Sequence, residues 1–378
     1  MAADNFPKTT TEKIANRQLL FMLFMMRTTV VIAFLPVLTS ADALQDAWAS
    51  AIVSFFTSAL LVLIIGGLGI RFPELTIVEY AQKLIGKWPG RAICLIIVWA
   101  LLVIVATDTR IYAEALITGF LTETPLPLIV FAMVIAGSTA AYSGLEVIGR
   151  SADLLFPIFI SAILLSLIFA IPEFTLLKRN LEPVLARGVG PVLRGALVPT
   201  IIIAQYLCLT MIIPATNQPK KALGTALWAL AGSTAVLTLV ALAVTAILGP
   251  DRGSRSVFPF FNLVRTLQIS EFLERVEILA LFAWGFGIFI GVSVFMYCGT
   301  RAVAQVIGLH DYRALIAPLA VIWGTFSVHS YQDIFQIRTY FDARIVVPFN
   351  LFWILFPMGI LWAAYGIRRL TGRKPNEE

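Results

Sequence analysis

Long apolar runs broken by short polar turns dominate this chain. Ten stretches are long and apolar enough to read as membrane-crossing helices: roughly 17–38, 47–69, 92–120, 125–142, 152–171, 190–213, 222–249, 276–299, 313–328 and 343–366. A spanning helix needs about 20 mostly apolar residues. None of the runs alternates with period two, and all are too long for barrel strands, which predicts an all-α fold. The ninth is short, and its edge at Ser327–His329 is ill defined in the sequence. Two intervening stretches carry helical patterns of their own. In 74–84, Ile77, Tyr80, Ala81 and Leu84 share a face, which predicts a short interfacial helix closed by Gly86, Pro89 and Gly90. In 257–273 the pattern is too polar to span and too apolar for a free loop. It predicts one or two short helices on the outer face, with Ser270 an N-cap for the helix beginning at Glu271.

Composition points the same way. Of 378 residues 59% are hydrophobic and 13% charged, with a mean hydropathy of +0.89. A water-soluble chain carries about 25% charged residues, so the solvent that fits this one is a bilayer. The first 16 residues are polar and lead directly into an apolar run, unlike a cleaved leader. Cys94, Cys208 and Cys298 all sit inside apolar runs without metal or disulfide spacing, and read as buried free thiols. His310 and His329 lie near span ends and read as structural. No phosphate-binding loop, zinc-protease motif, nucleophile elbow or potassium-filter sequence is present, so the sequence predicts no catalytic residues, no metal and no cofactor.

Charge sets the expected orientation. One side of the span pattern holds sixteen Lys and Arg, among them Lys83, Lys87, Arg91, Lys220, Lys221, Arg368 and Arg369; the other holds ten, mostly in two long loops. The short turns 39–46 and 122–124 on that second side hold none. Basic residues collect on the cytoplasmic side of short loops, so both termini are expected in the cytoplasm. The net charge of +6 reflects this bias and is no nucleic-acid signal.

The chain reads as one domain: a tail at 1–16, five helices in 17–171, five more in 190–366 and a tail at 367–378. The first span of each half looks interrupted. In the first, Arg27-Thr28-Thr29 sits at mid-membrane and Pro36 follows; in the sixth, Gly195, Pro199 and Thr200 precede Gln205 and Pro214. Interrupted helices at matching places in two halves point to a transporter-like midplane site. A charge at the bilayer centre costs about 2.5–3.5 kcal/mol on insertion scales and usually faces the bundle interior. Four such charges stand in the first and third spans. Arg110 and Glu114 are four residues apart and can pair. Asp108 points elsewhere and is placed to face Arg27. The expected ligand contacts are Arg27, Thr28, Thr29, Asp108, Gln205 and Tyr206; Arg110, Glu114, Glu274, Arg275 and Glu277 are expected in structural or coupling roles.

Several local motifs resemble the spore germination permease family, the B subunits of nutrient germinant receptors, within the amino acid–polyamine–organocation superfamily. They are Asp46-Ala47-Trp48; Arg71-Phe72-Pro73 with Thr76, Glu79-Tyr80 and Gly86-Lys87; Thr124-Pro125; Tyr142, Gly144, Glu146 and Arg150; and Phe272-Leu273-Glu274-Arg275-Val276-Glu277 with Trp284. The resemblance implies an inverted 5+5 repeat with interrupted first and sixth helices around a small-nutrient pocket. It implies the inner membrane of a spore, A and C partner subunits, and the triggering of germination. Where many members have Gly in the first break, Gly-Glu in the sixth span and Lys in the eighth, this chain has Arg27-Thr28-Thr29, Ala204-Gln205 and Gly291. Loss of the acid removes a partner for a ligand amine, and Arg27 favours a ligand carboxylate or an internal salt bridge. Two other functions stay open: an amino acid/H+ transporter with Asp108 or Glu114 as proton carrier, and a scaffold subunit that binds nothing.

Overall fold

The computed structural model describes residues 12–256, 258–266 and 276–371. Its helices, in chain order, are α1 (Asn16–Ala43), α2 (Ala47–Gly69), α3 (Ile77–Ile85), α4 (Lys87–Gly119), α5 (Leu126–Ser143), α6 (Leu145–Phe169), α7 (Ile171–Leu177), α8 (Val189–Gly195), α9 (Leu197–Ile201), α10 (Leu209–Ile212), α11 (Ala222–Leu248), α12 (Pro250–Arg255), α13 (Pro259–Thr266), α14 (Val276–Ile307), α15 (Ile316–His329), α16 (Ile334–Tyr340) and α17 (Ala343–Leu370). Among the described residues the only β-type pairing is one isolated bridge, Ile14 with Thr216.

Among the described residues, eight stretches are long and apolar enough to cross a bilayer: Leu44–Gly69, Lys87–Gly119, Leu126–Ser143, Leu145–Phe169, Val189–Ala215, Pro219–Leu248, Ala280–Ile307 and Ala343–Leu370. The pair Tyr312–His329 and Ile334–Tyr340, bent by 97°, gives a ninth when taken together as one broken span. The 28-residue α1 occupies the place of the first expected span. Burial separates centre from rim. In Val189–Ala215, 89% of the most apolar stretch is buried inside the protein, against 28% in Leu145–Phe169. The sixth span is therefore the spine, and α6 keeps a wide face for lipid.

That spine is broken. Helical backbone runs through α8 and α9, tightens to a three-residue-per-turn helix over Ile202–Cys208, resumes in α10 for four residues, and tightens again at Ile213–Ala215. Pro199 and Pro214 flank the tightened segment, and each removes a backbone donor. The first span differs from expectation, because α1 is α-helical without interruption from Asn16 to Ala43. Its polar residues are accommodated inside the helix: the Thr29 hydroxyl donates to the Met25 carbonyl at 2.6 Å, one turn back.

The expected interfacial helix is α3. Thr76 and Glu79 form a reciprocal cap, with the Thr76 amide donating to Glu79 Oε2 at 2.6 Å. Gly86, at φ 93°, turns the chain directly into α4. Gly90 then lies against the α3 backbone so closely that a Cβ there would stand 2.7 Å from Gln82 Cα. The expected outer helix is α13; Ser270 and Glu271 lie outside the described residues.

The face bearing the N terminus is tied together by residues 12–18. Glu12 accepts from the Leu145 amide at 3.0 Å, Lys13 Nζ donates to the Pro214 carbonyl at 2.9 Å, and Arg17 pairs with Asp153 at 3.1 Å. The entry to α1 is thereby fixed to both the α5–α6 turn and the lower end of the broken span.

Candidate functional site

The broken span brings Gln205 to the centre of the bundle. In a three-residue-per-turn helix successive turns eclipse, so its side chains project differently from those of a continuous α-helix. Gln205 Nε2 donates to Asp108 Oδ2 of α4 at 2.8 Å. Both groups line a small cavity of about 40 Å³, room for about two or three water molecules. The polar lining is completed by Thr107, Tyr340 and Asn350, and the apolar lining includes Val30, Ile104, Ile201 and Ile202. Gln205 Oε1 is buried without a hydrogen-bond partner. The cavity thus presents one carboxyl group and one free amide carbonyl, both acceptors when the acid is ionised. It can receive a cationic or N–H-bearing group.

Of the six expected ligand contacts, Asp108 and Gln205 line this cavity; Arg27, Thr28, Thr29 and Tyr206 are not among its lining residues. Arg27 is fully buried; its Nη2 donates to the Pro199 carbonyl at 3.4 Å, while Nε and Nη1 have no partner. Thr28 is also fully buried with an unpartnered hydroxyl, and the Thr29 hydroxyl is used within α1. The Tyr206 hydroxyl points to the Leu23 carbonyl at 3.5 Å. Asp108 is engaged by Gln205, and no ion pair among the described residues includes Arg27.

Arg110 and Glu114 do pair, at 2.7 Å, with both side chains nearly inaccessible. Arg110 also donates through Nη1 to the Val328 carbonyl at 2.6 Å and through Nη2 to the Gln332 carbonyl at 3.2 Å. It therefore ties α4 to the bend between α15 and α16, where the last carbonyls of α15 lack helical partners. Glu274 and Arg275 lie outside the described residues, as does the side chain of Glu277.

Sequence reasoning missed Asn350, Tyr340 and Thr107 on the cavity wall. It also missed Tyr331, whose hydroxyl meets that of Thr107 at 2.9 Å. The available signal was weak: Asn350 is a single amide in a long apolar run two residues after Pro348.

The family model described as Spore germination protein matches residues 13–333. The chain belongs to the spore germination protein family. Similar members include Spore germination protein KB of Bacillus subtilis (strain 168), 25% identical over 346 residues, covering 88% of this chain and 90% of that one. Spore germination protein A2 of the same organism is 23% identical over 331 residues, covering 84% and 88%. The fold of this spore germination protein is that of solved transporters. MhsT in complex with L-phenylalanine superposes with a TM-score of 0.69 at 14% identity, covering 96% of this chain and all of that one. Mhp1, a nucleobase-cation-symport-1 family transporter in a closed conformation with bromovinylhydantoin bound, gives 0.70 at 11%, covering 92% and 78%. The chain is thus a multi-pass membrane protein of the germinant-receptor B-subunit family, with a transporter-like fold and no enzymatic function.

Proposed function

We propose that this chain is the membrane subunit of a nutrient germinant receptor in the spore inner membrane, with both termini cytoplasmic. It binds a small, amino-acid-like nutrient at the midplane and passes a change in helix packing to A and C subunits. The observation that carries this reading is the Asp108–Gln205 contact in a small cavity beside the broken sixth span. An amine entering there meets a carboxyl group and an amide carbonyl with a free lone pair. It also separates Asp108 from Gln205, and so acts on the least regular element of the bundle. Binding shifts a two-state equilibrium only as far as the ligand prefers one state.

The test is a germination dose response over a panel of nutrients, in spores lacking the chain and in spores carrying Gln205→Ala. The expected result is loss of response to one nutrient in the null and a raised midpoint for that nutrient in the mutant. Unchanged germination to every nutrient in the null would remove the sensor reading. Vesicle uptake of the same nutrients would then test the transporter reading that the fold likeness to MhsT and Mhp1 favours.

A further inference from the structure

Arg27 is a fully buried guanidinium near the middle of α1 with most of its hydrogen-bonding capacity unused. One contact, the 3.4 Å bond to the Pro199 carbonyl, is long, and Nε and Nη1 have none. The ion pairs among the described residues join Arg17 to Asp153, Arg110 to Glu114 and Arg150 to Glu146. Asp108, the acid of α4 that lines the cavity, is held by Gln205. A buried charge without a counter-charge is strongly unfavourable, and its retention marks a functional position in a membrane protein. Arg27 and Val30 are three residues apart on the uninterrupted α1, so they share a face; Val30 lines the midplane cavity. The next residue, Thr28, adds an unpartnered buried hydroxyl.

We infer that Arg27 is the anion-binding residue of the midplane site, where a monovalent anion, either the carboxylate of the nutrient or a free halide, takes its open N–H groups. Whichever N–H of Nη2 goes to Pro199, the other lies parallel to an unpartnered N–H of Nε or Nη1, and that edge is the two-donor arrangement that a carboxylate accepts with both oxygens. The inference rests on the midplane-site reading for its location. It adds a substrate class: the ligand carries an anionic group opposite the amine-accepting pair, or binds together with an anion.

The test has two arms. In spores carrying the wild-type chain, Arg27→Gln or Arg27→Lys, germination midpoints are measured for L-amino acids and for the corresponding amino-acid amides, which lack the carboxylate. In parallel, the thermal midpoint of the purified full-length chain in lipid nanodiscs is measured in sodium acetate, chloride or sulfate at matched ionic strength. If the carboxylate is the anion, Arg27→Gln raises the amino-acid midpoint about tenfold or more, a loss of about 1.4 kcal/mol per decade, and leaves the amide midpoint unchanged. Arg27→Lys loses less, and acetate stabilises the wild type but not Arg27→Gln. If the anion is a free halide, acid and amide shift together and chloride alone stabilises the wild type. Equal behaviour of wild type and Arg27→Gln in all three salts, with acid and amide midpoints moved alike or not at all, overturns the inference. Should Gln205→Ala shift the midpoints under those conditions, the midplane-site reading survives without Arg27. Should deletion of the chain change no response, that reading fails while the salt series still judges Arg27.

Discussion

Removing Arg110 should cost far more than removing Arg110 and Glu114 together. The guanidinium meets Glu114 Oε1 through Nη2 at 2.7 Å and Nε at 2.9 Å, with 4% and 8% of the two side chains exposed. Arg110→Ala leaves the Glu114 carboxylate buried and unpaired, a change that costs about 3–5 kcal/mol in comparable buried pairs. It also frees the Val328 and Gln332 carbonyls. These border a cleft of about 520 Å³ that Arg110, Glu114, His329 and Asp333 also line, so water can take over both acceptors. Arg110→Met/Glu114→Leu loses the same two bonds but buries no charge, and its cost should stay within about 1–3 kcal/mol. The double variant should therefore be at least about 2 kcal/mol more stable than Arg110→Ala, a difference outside ordinary additivity.

The assay is unfolding of the purified full-length chain by SDS titration in mixed micelles, followed by the fluorescence of its eight tryptophans. Glu114→Gln provides a control, since it keeps an acceptor in place and leaves Arg110 its two carbonyls; its loss should be the smallest of the single changes. A loss below about 1 kcal/mol in Arg110→Ala would show that the pair is solvated in the membrane-embedded protein. A double variant as unstable as Arg110→Ala would show that the carbonyl contacts, and not the buried charge, hold the α15–α16 bend. Either result refutes the reasoning.

Gly287→Ala should destabilise by about 1–3 kcal/mol, because an added Cβ would collide with the Thr29 hydroxyl and come within 3.0 Å of the Phe159 ring. Thr29→Ala should offset part of that loss in the same unfolding assay, with a coupling of at least about 0.5 kcal/mol, and independence of the two would disprove the contact. Gly224→Ala, with nothing within 4 Å of the new methyl, should be neutral or stabilising by up to about 1 kcal/mol. For topology, the three native cysteines are buried, and a background lacking them should still fold. On it, Asp251→Cys should react with an impermeant maleimide on intact cells and Lys220→Cys only after permeabilisation; the opposite pattern would invert the orientation.

Hydrophobic runs carried most of the architecture, because lipid forces each span to satisfy its own backbone and so to declare its length. The break in the sixth span was legible for a local reason: Pro199 and Pro214 each remove a donor, and the tightened segment lies between them. The break expected in the first span failed for an equally local reason. A threonine that returns its hydroxyl to the carbonyl one turn back, as Thr29 does, looks in sequence like a polar interruption while leaving the helix intact. The Arg110–Glu114 pair was readable because both residues lie on one helix at a spacing fixed by its pitch. Asp108 was not, because its partner depends on how two distant helices are rotated against each other. Gln205 on the spine reached it and Arg27 did not. The contribution of α17 through Asn350 was hidden for the same reason, since a lone amide carries no spacing to read.

These placements constrain how a signal can leave the proposed site. The α1 entry is anchored by residues 12–18 to α6 and to the lower end of the broken span, and α1 itself has no break at which to bend. The movable backbone next to the cavity is then the tightened segment Ile202–Cys208, which carries Gln205. A cavity of about 40 Å³ admits a few waters and no amino acid, so a nutrient can occupy the site only in a packing where Asp108 and Gln205 have moved apart. Moving a population from 1:99 to 99:1 requires about 5.5 kcal/mol of preferential binding. One amine contact of the charge-assisted kind supplies about 1.5–3 kcal/mol, so a single contact at Asp108 falls short. A ligand held at both ends, amine on the Asp108–Gln205 pair and carboxylate on Arg27, comes close to the required preference. On this reading acid and amide should differ in how completely they drive germination as well as in midpoint: a saturating amide should leave a fraction of spores dormant that the acid recruits, and equal plateaus would mean that one end of the ligand is enough.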